Sequence, residues 1–301
     1  MLDLLPTLDE ILSLLPGALA ALLLLAVAVA LTRTGRTRMS VVAAGLAPAF
    51  AFVVTWLATR SWSLDALPWS PVGSSDRVFW AVLGYCGVAV LAELVRPREA
   101  LARGIEAIGA TLVVWFCLKT LLAREPSSED HVAVWTVGFV AVGFLVWGWA
   151  LRSLALRADC RALAIALALT SAITGQIYVL FGGASQAQAV GTLSLVFVGA
   201  GLLGAVAPAR RIMPAFLGAA LGLVLATGLD ARFFLMTPPP LPVLGLLAVA
   251  PLGVWGALLP RVTKAPGWKR TLLPLLVVTV LVGAAAVWGI LEMPPEDPYS
   301  G

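Results

Sequence analysis

From Ala162 to Ala209 the chain runs for 48 residues without one charged side chain. Soluble domains carry charge on about a quarter of their residues, so a stretch like this has nothing to present to water. Its middle reads ALTSAITGQIYVLFGGASQAQAVGTLS: an apolar run, a polar patch (Thr170, Ser171, Thr174, Gln176), a Gly182-Gly183 turn, two more glutamines, then a second apolar run. A helix needs about 20 apolar residues to cross the hydrocarbon layer. The stretch therefore predicts two membrane-spanning helices joined by an uncharged hairpin.

The rest of the chain follows the same rule. Of 301 residues, 60% are hydrophobic and only 12% charged. A soluble fold of this size has too little interior to hide so much apolar surface. The longest polar connection, Arg60 to Arg77, is too short to build a core of its own. The fold class expected is an all-α polytopic bundle, one membrane domain over residues 1–301. Counting apolar runs predicts ten spans in five hairpins: Ile11–Leu31, Met39–Thr59, Val78–Val95, Gly104–Ala123, Val132–Leu151, Ala162–Phe181, Ala189–Ala207, Ile212–Leu229, Leu241–Leu259 and Thr271–Leu291. The acidic start MLDLLPTLDE lacks the positive n-region of a cleavable signal, so span 1 is expected to be an uncleaved anchor.

Lys and Arg mark the cytoplasmic side of a membrane protein. Fifteen of the 20 fall after spans 1, 3, 5, 7 and 9, and Arg60, Arg77, Lys119, Arg124 and Arg232 make up the other side. Those odd-numbered turns are expected inside and both termini outside, in the periplasm of a bacterial inner membrane. Trp56, Trp62, Trp69, Trp80, Trp135 and Trp288 then fall near the outer interface, and Trp147, Trp149 and Trp268 near the inner one. The loop RSWSLDALPWSPVGSSDR is expected along the outer surface, with Trp62, Leu64, Leu67 and Trp69 dipped into it. The pI near 9.3 does not indicate nucleic-acid binding, because the basic residues sit in small clusters between apolar runs and form no stripe that tracks phosphates.

Ionisable residues inside spans are functional suspects, because burying charge in lipid is costly. Glu93 lies near the inner end of span 3. Glu106 and Lys119 bracket twelve residues of span 4, a separation of about 20 Å, shorter than the roughly 30 Å core. One of the two must lie within the core or reach toward its edge. Snorkelling accounts for a Lys near a helix end; a buried Lys119 that pairs or titrates is the sharper alternative. The remaining spans carry no charge at mid-depth.

The patch Thr170, Ser171, Thr174 and Gln176 is the candidate binding site. Thr170 with Thr174 and Ser171 with Thr174 share a helical face, and Gly175 offers a point where span 6 could break and expose backbone dipoles. Hydrogen bonding between helices is the plainer use of such residues. Gly218-x-x-x-Gly222 in span 8 and Gly199, Gly201 and Gly204 in span 7 predict close helix packing. Pro238, Pro239, Pro240 and Pro242 form the turn into span 9, and Pro251 predicts a kink within it.

Several activities fail for want of residues. The single histidine, His131, lies in the loop SSEDH, which offers neither haem ligation nor a convergent metal site. The inner loops supply only Glu99, Glu106 and Asp159 singly, not the carboxylate clusters that hold Mg²⁺-pyrophosphate. The spans hold no Ser–His pair or paired Asp for proteolysis. The three cysteines form no C-x-x-C. No cofactor or metal is expected, and no enzyme. The expected partners are the bilayer and other membrane subunits. The primary reading is a non-catalytic packing or scaffold subunit of a larger membrane assembly. The alternative is a permease for a neutral or lipid-like solute, with its site on span 6. Proton or ion coupling is not expected, for want of a mid-depth carboxylate.

Overall fold

In a computed structural model, the structure describes residues 8–60, 62–63, 65, 67–71, 73–124, 132–157, 160–203, 213–258 and 267–293. The described residues are helical with irregular connections and no strand. The helices are α1 (Leu8–Arg33), α2 (Thr37–Ala58), α3 (Ser74–Leu94), α4 (Glu99–Leu122), α5 (Val134–Arg157), α6 (Cys160–Leu180), α7 (Ala184–Leu203), α8 (Met213–Phe234), α9 (Leu241–Val249) and α10 (Gly267–Leu291). Nine of these, all but α9, are long and apolar enough to cross a membrane. The chain is a multi-pass membrane protein.

The predicted ninth span is the exception. An α-helix covers Leu241–Val249, and a 3₁₀ helix continues over Ala250–Leu258. The change of winding falls at Pro251, where the expected kink sits. Pro251 has no N–H to close an α turn and its ring crowds the preceding turn, so the backbone tightens to i+3 pairing. At 1.5 and 2.0 Å rise per residue, the two pieces together still extend about 31 Å.

Helix α8 occupies the centre and packs against α2, α3, α4, α5 and α7. It is buried on nearly all sides from Met213 to Ala231. Small residues make this packing tight. A Cβ on Gly222 would stand 2.1 Å from Tyr85 Cδ1 on α3, whereas one on Gly218 would meet Ala89 Cβ at 3.5 Å, an ordinary contact. The Gly-x-x-x-Gly pair is thus a close approach chiefly at Gly222. Polar groups join the helices as well: Thr55 and Thr192 share a 3.0 Å hydrogen bond between α2 and α7, and Ser194 Oγ donates to Ala168 O across α7 and α6. Around this centre, α1, α5 and α10 leave broad apolar faces exposed, including Leu19, Leu23, Phe139, Leu276 and Val280.

Two expectations about the charge-free stretch are corrected. Helix α6 is continuous from Cys160 to Leu180, so Gly175 does not break it. Gly175 instead admits α7: a Cβ there would meet Ala187 O at 3.3 Å and Gly191 N at 3.6 Å. Span 7, expected from Ala189, also starts earlier, because α7 begins at Ala184. The turn is only three residues. Gly182 takes φ +80°, Gly183 N–H bonds to Tyr178 O at 2.7 Å, and Gly182 N–H bonds to Val179 O at 3.0 Å. That is a Schellman closure, which needs the left-handed conformation glycine tolerates. Gly35 closes α1 the same way, through Arg36 N–H to Leu31 O and Gly35 N–H to Thr32 O.

In the loop between α2 and α3, Trp62 and Trp69 are exposed and Leu67 is half-buried, while Leu64 lies outside the described residues. So do both tails, Glu129, Asp130, His131, Asp159, Gly204, Arg210, Arg211, Arg261 and Lys264.

Candidate functional site

A cavity of about 350 Å³ lies between α5, α6, α7, α8 and the α9–3₁₀ segment. Thr170, Ser171 and Thr174 of the predicted patch line it together with Tyr178, all from α6. Phe144 and Trp147 come from α5, Gly228 and Leu229 from α8, and Ala248 and Pro251 from the broken ninth segment. Among the described lining residues none is charged. Thr170 Oγ1 donates to Ala166 O at 2.8 Å and Thr174 Oγ1 to Thr170 O at 2.7 Å, so their protons return to their own helix. Their oxygens remain acceptors. These threonines therefore do not bridge helices. The result is an apolar chamber with a few hydroxyl oxygens along one wall.

The chamber's far wall explains the break in the ninth segment. In 3₁₀ pairing, the N–H owed to the Ala248 carbonyl belongs to residue 251, and proline has none. The indole of Trp147 supplies it: Nε1 donates to Ala248 O at 2.6 Å. Irregular backbone persists within a membrane protein where protein groups satisfy it and a cavity is lined.

Gln176 stands apart from the other three. It lines a second cavity of about 300 Å³ between α1, α6 and α7, with Gly175, Gln188 and Ser194. The structure thus brings Thr170, Ser171 and Thr174 together and separates Gln176 from them.

The ionisable candidates fall into place at the ends of α4. Seven residues into α4, Glu106 belongs to a paired quartet with Glu93 and Arg96 at the end of α3 and Arg152 on α5. Arg152 Nη2 sits 2.5 Å from Glu93 Oε2 and Arg152 Nη1 3.5 Å from Glu106 Oε1. Arg96 pairs with Glu106 and, at 3.4 Å, with Glu93. Trp149 Nε1 donates to Glu106 Oε2 at 2.9 Å. Two carboxylates and two guanidiniums neutralise each other here, which is how charge is tolerated at this depth. Lys119, in the last turn of α4, is half-buried with its Nζ 4.9 Å from the Phe116 ring.

A group that the sequence reading missed lies at the other end of α3. Arg77 and, on α8, Asp230 are buried, 4% and 2% exposed. Gln186 Nε2 donates to Asp230 Oδ2 at 2.5 Å, and Ser185 Oγ donates to Gln186 Oε1 at 3.1 Å, which fixes how the amide is turned. Asp230 Oδ1 and Arg77 Nε find no partner among the described residues. Span 8 was expected to end at Leu229 with Asp230 outside it; α8 in fact continues to Phe234 and carries Asp230 into the protein. The signal available was the Phe233-Phe234 pair beyond the charge, which an outer loop has little reason to hold. Arg77 and Glu93, sixteen residues apart on α3, put the two polar groups about 24 Å from each other along the bundle.

Compared with known proteins, the chain matches no protein-family model and no curated protein sequence.

Proposed function

We propose that the protein is a non-catalytic carrier that binds an uncharged, largely apolar solute in the cavity between α5 and the α9–3₁₀ segment. The observation that carries this reading is the chamber itself. Its volume falls in the range of small-molecule sites, which are apolar with a few placed polar groups. A charged solute would lose its hydration there with no counter-charge on the described walls. The break at Pro251 supplies a wall able to move as a hinge. The placement of Lys and Arg supports basic turns in the cytoplasm and both termini outside, and the compact, loop-poor build supports a bacterial inner membrane.

A role as a packing subunit of a larger assembly rests on the exposed apolar faces of α1, α5 and α10. Lipid calls for the same faces, so they favour that role less than the chamber favours a carrier.

The test uses a diazirine analogue of decanol on the protein in lipid nanodiscs, with labelled residues mapped by mass spectrometry. The expected label falls on chamber residues such as Phe144, Leu225 and Leu244. It should vanish from them in Gly228→Leu, a change that grows into the chamber where a Cβ would meet only Tyr178 Oη at 3.6 Å. Label confined to lipid-facing positions such as Leu272 and Leu276 would refute the carrier reading.

A further inference from the structure

The Asp230 site has no role in binding an apolar solute, yet it is the most deeply buried carboxylate among the described residues. Its two oxygens are treated differently. Oδ2 accepts from Gln186, and Ser74 stands close enough to interact with the carboxyl. Oδ1 has no donor. An ionised carboxylate in a low-dielectric site needs donors on both oxygens or a contacting cation. Arg77 is the cation whose charge reaches it, but no ion pair joins the two, and the Arg77 guanidinium lies over the Phe234 ring at 5.4 Å. The site is therefore built to hold a carboxyl group and under-built to hold it ionised.

The groups around it make the proton the ligand that fits. From α3 comes Arg77, from α4 Cys117, from α6 Tyr178 and, on α8 itself, Arg232. Helix α7 contributes the neutral Gln186. Helices α2 and α5 carry titratable groups only toward the opposite end: Arg38, and Arg152 with Arg157. Arg60, just past α2, lies 3.6 Å over the Trp56 ring and faces Asp76. Arg77 thus faces Asp230 without touching it, Arg232 lies two residues further along α8, and a proton on Oδ1 supplies the missing hydrogen without a second ion.

Asp230 also adjoins the chamber. The residues before it, Gly228 and Leu229, line the cavity, and Tyr178, whose Oη lies 3.6 Å from where a Cβ on residue 228 would stand, lines it too. We propose that Asp230 is a proton-binding site whose occupancy is linked to that of the chamber, an inference that rests on the carrier reading. One proton passes from water at the Arg77 end of the bundle to Asp230 Oδ1, forming the O–H bond and neutralising the carboxylate; no other bond changes. An apolar solute in the chamber excludes water beside the site, disfavours the charged form, and so raises proton affinity. By reciprocity, protonation tightens solute binding by the same factor.

The experiment is infrared pH titration of the full chain in nanodiscs, with ¹³C-aspartate labelling to identify aspartic-acid carbonyl bands. The expected result is a protonated aspartate band that survives at pH values where exposed aspartates are already ionised. The band disappears in Asp230→Asn, and saturating decanol moves its midpoint up by about half a unit, a threefold gain in proton affinity. If Asp230→Asn fails to fold, the labelled wild type still decides. Absence of any aspartate band above the ordinary range overturns the proposal. So does a midpoint that decanol leaves in place although photolabelling shows the chamber occupied. Failure of decanol to label the chamber sinks the carrier reading instead, and is read separately from the ligand-free titration.

Discussion

Trp147 donates its indole N–H to the carbonyl of Ala248 across 2.6 Å, joining α5 to the ninth segment where that segment changes winding. Pro251 removes the 3₁₀ backbone donor, and the indole N–H takes its place at the Ala248 carbonyl. Trp147→Phe keeps an aromatic ring on the chamber wall, deletes the donor and trims the indole to a single ring. The expected cost is about 1–2 kcal/mol of stability, together with faster amide hydrogen exchange over residues 249–258. Exchange unchanged in that segment would show that the break is held by packing alone.

Gly222 and Tyr85 give a second, sharper case. The Tyr85 ring lies where a Cβ on residue 222 would go, and the ring packs edge-on against Phe144 at 5.6 Å, so it has little room to swing away. Gly222→Ala is expected to destabilise by about 1–3 kcal/mol, measured by thermal unfolding in detergent. Gly245→Ala, where a Cβ meets nothing within 4 Å, serves as the control and should leave the midpoint unchanged or slightly raised.

The contrast between these positions also marks what a sequence can disclose. Long apolar runs dictated spans, and the Gly182-Gly183 pair dictated a tight hairpin because one residue there had to turn left-handed. The split of the polar patch was readable too: Gln176 is about 200° around the helix from Thr174, whereas Thr170 is only about 40° from it. Grouping the four by proximity along the chain hid that difference. Asp230 was harder. Hydropathy counting stops a span at its first charge, and only the fold brings Gln186, 44 residues away in sequence, to meet the carboxylate. The failed break at Gly175 has the same origin. A glycine admits either a kink or a neighbouring backbone, and which it serves depends on where α7 lies.

The quartet of Glu93, Arg96, Glu106 and Arg152 predicts coupling rather than simple loss. Glu93→Ala leaves Arg96 and Arg152 sharing one carboxylate in a site where the four side chains are only 12–22% exposed. Removing Arg152 alone leaves excess negative charge instead. Each single change is expected to destabilise by about 2 kcal/mol, while Glu93→Ala with Arg152→Ala together should cost less than the sum by about 1–2 kcal/mol. Detergent-unfolding midpoints for the four proteins of the cycle check this. Additive costs would mean that Glu93 and Arg152 act independently despite their 2.5 Å contact.

Accessibility along α6 separates the two cavities that Thr174 and Gln176 face. Cys86 and Cys117 are buried, so a Cys160→Ser background leaves little competing reactivity. In that background, Ser171→Cys and Thr174→Cys open onto the chamber, Gln176→Cys onto the space beside α1, and Leu169→Cys onto the exposed face, where Leu169 is 39% exposed. Reaction with a small neutral maleimide should therefore slow severalfold at 171 and 174 when decanol fills the chamber, and stay unchanged at 169 and 176. The direction follows from geometry alone: an occupant of one cavity excludes reagent from its own walls and has no path to the other. Equal protection at 174 and 176 would mean the two spaces are one, and uniform silence at 171 and 174 would mean the chamber is closed to solutes of this size.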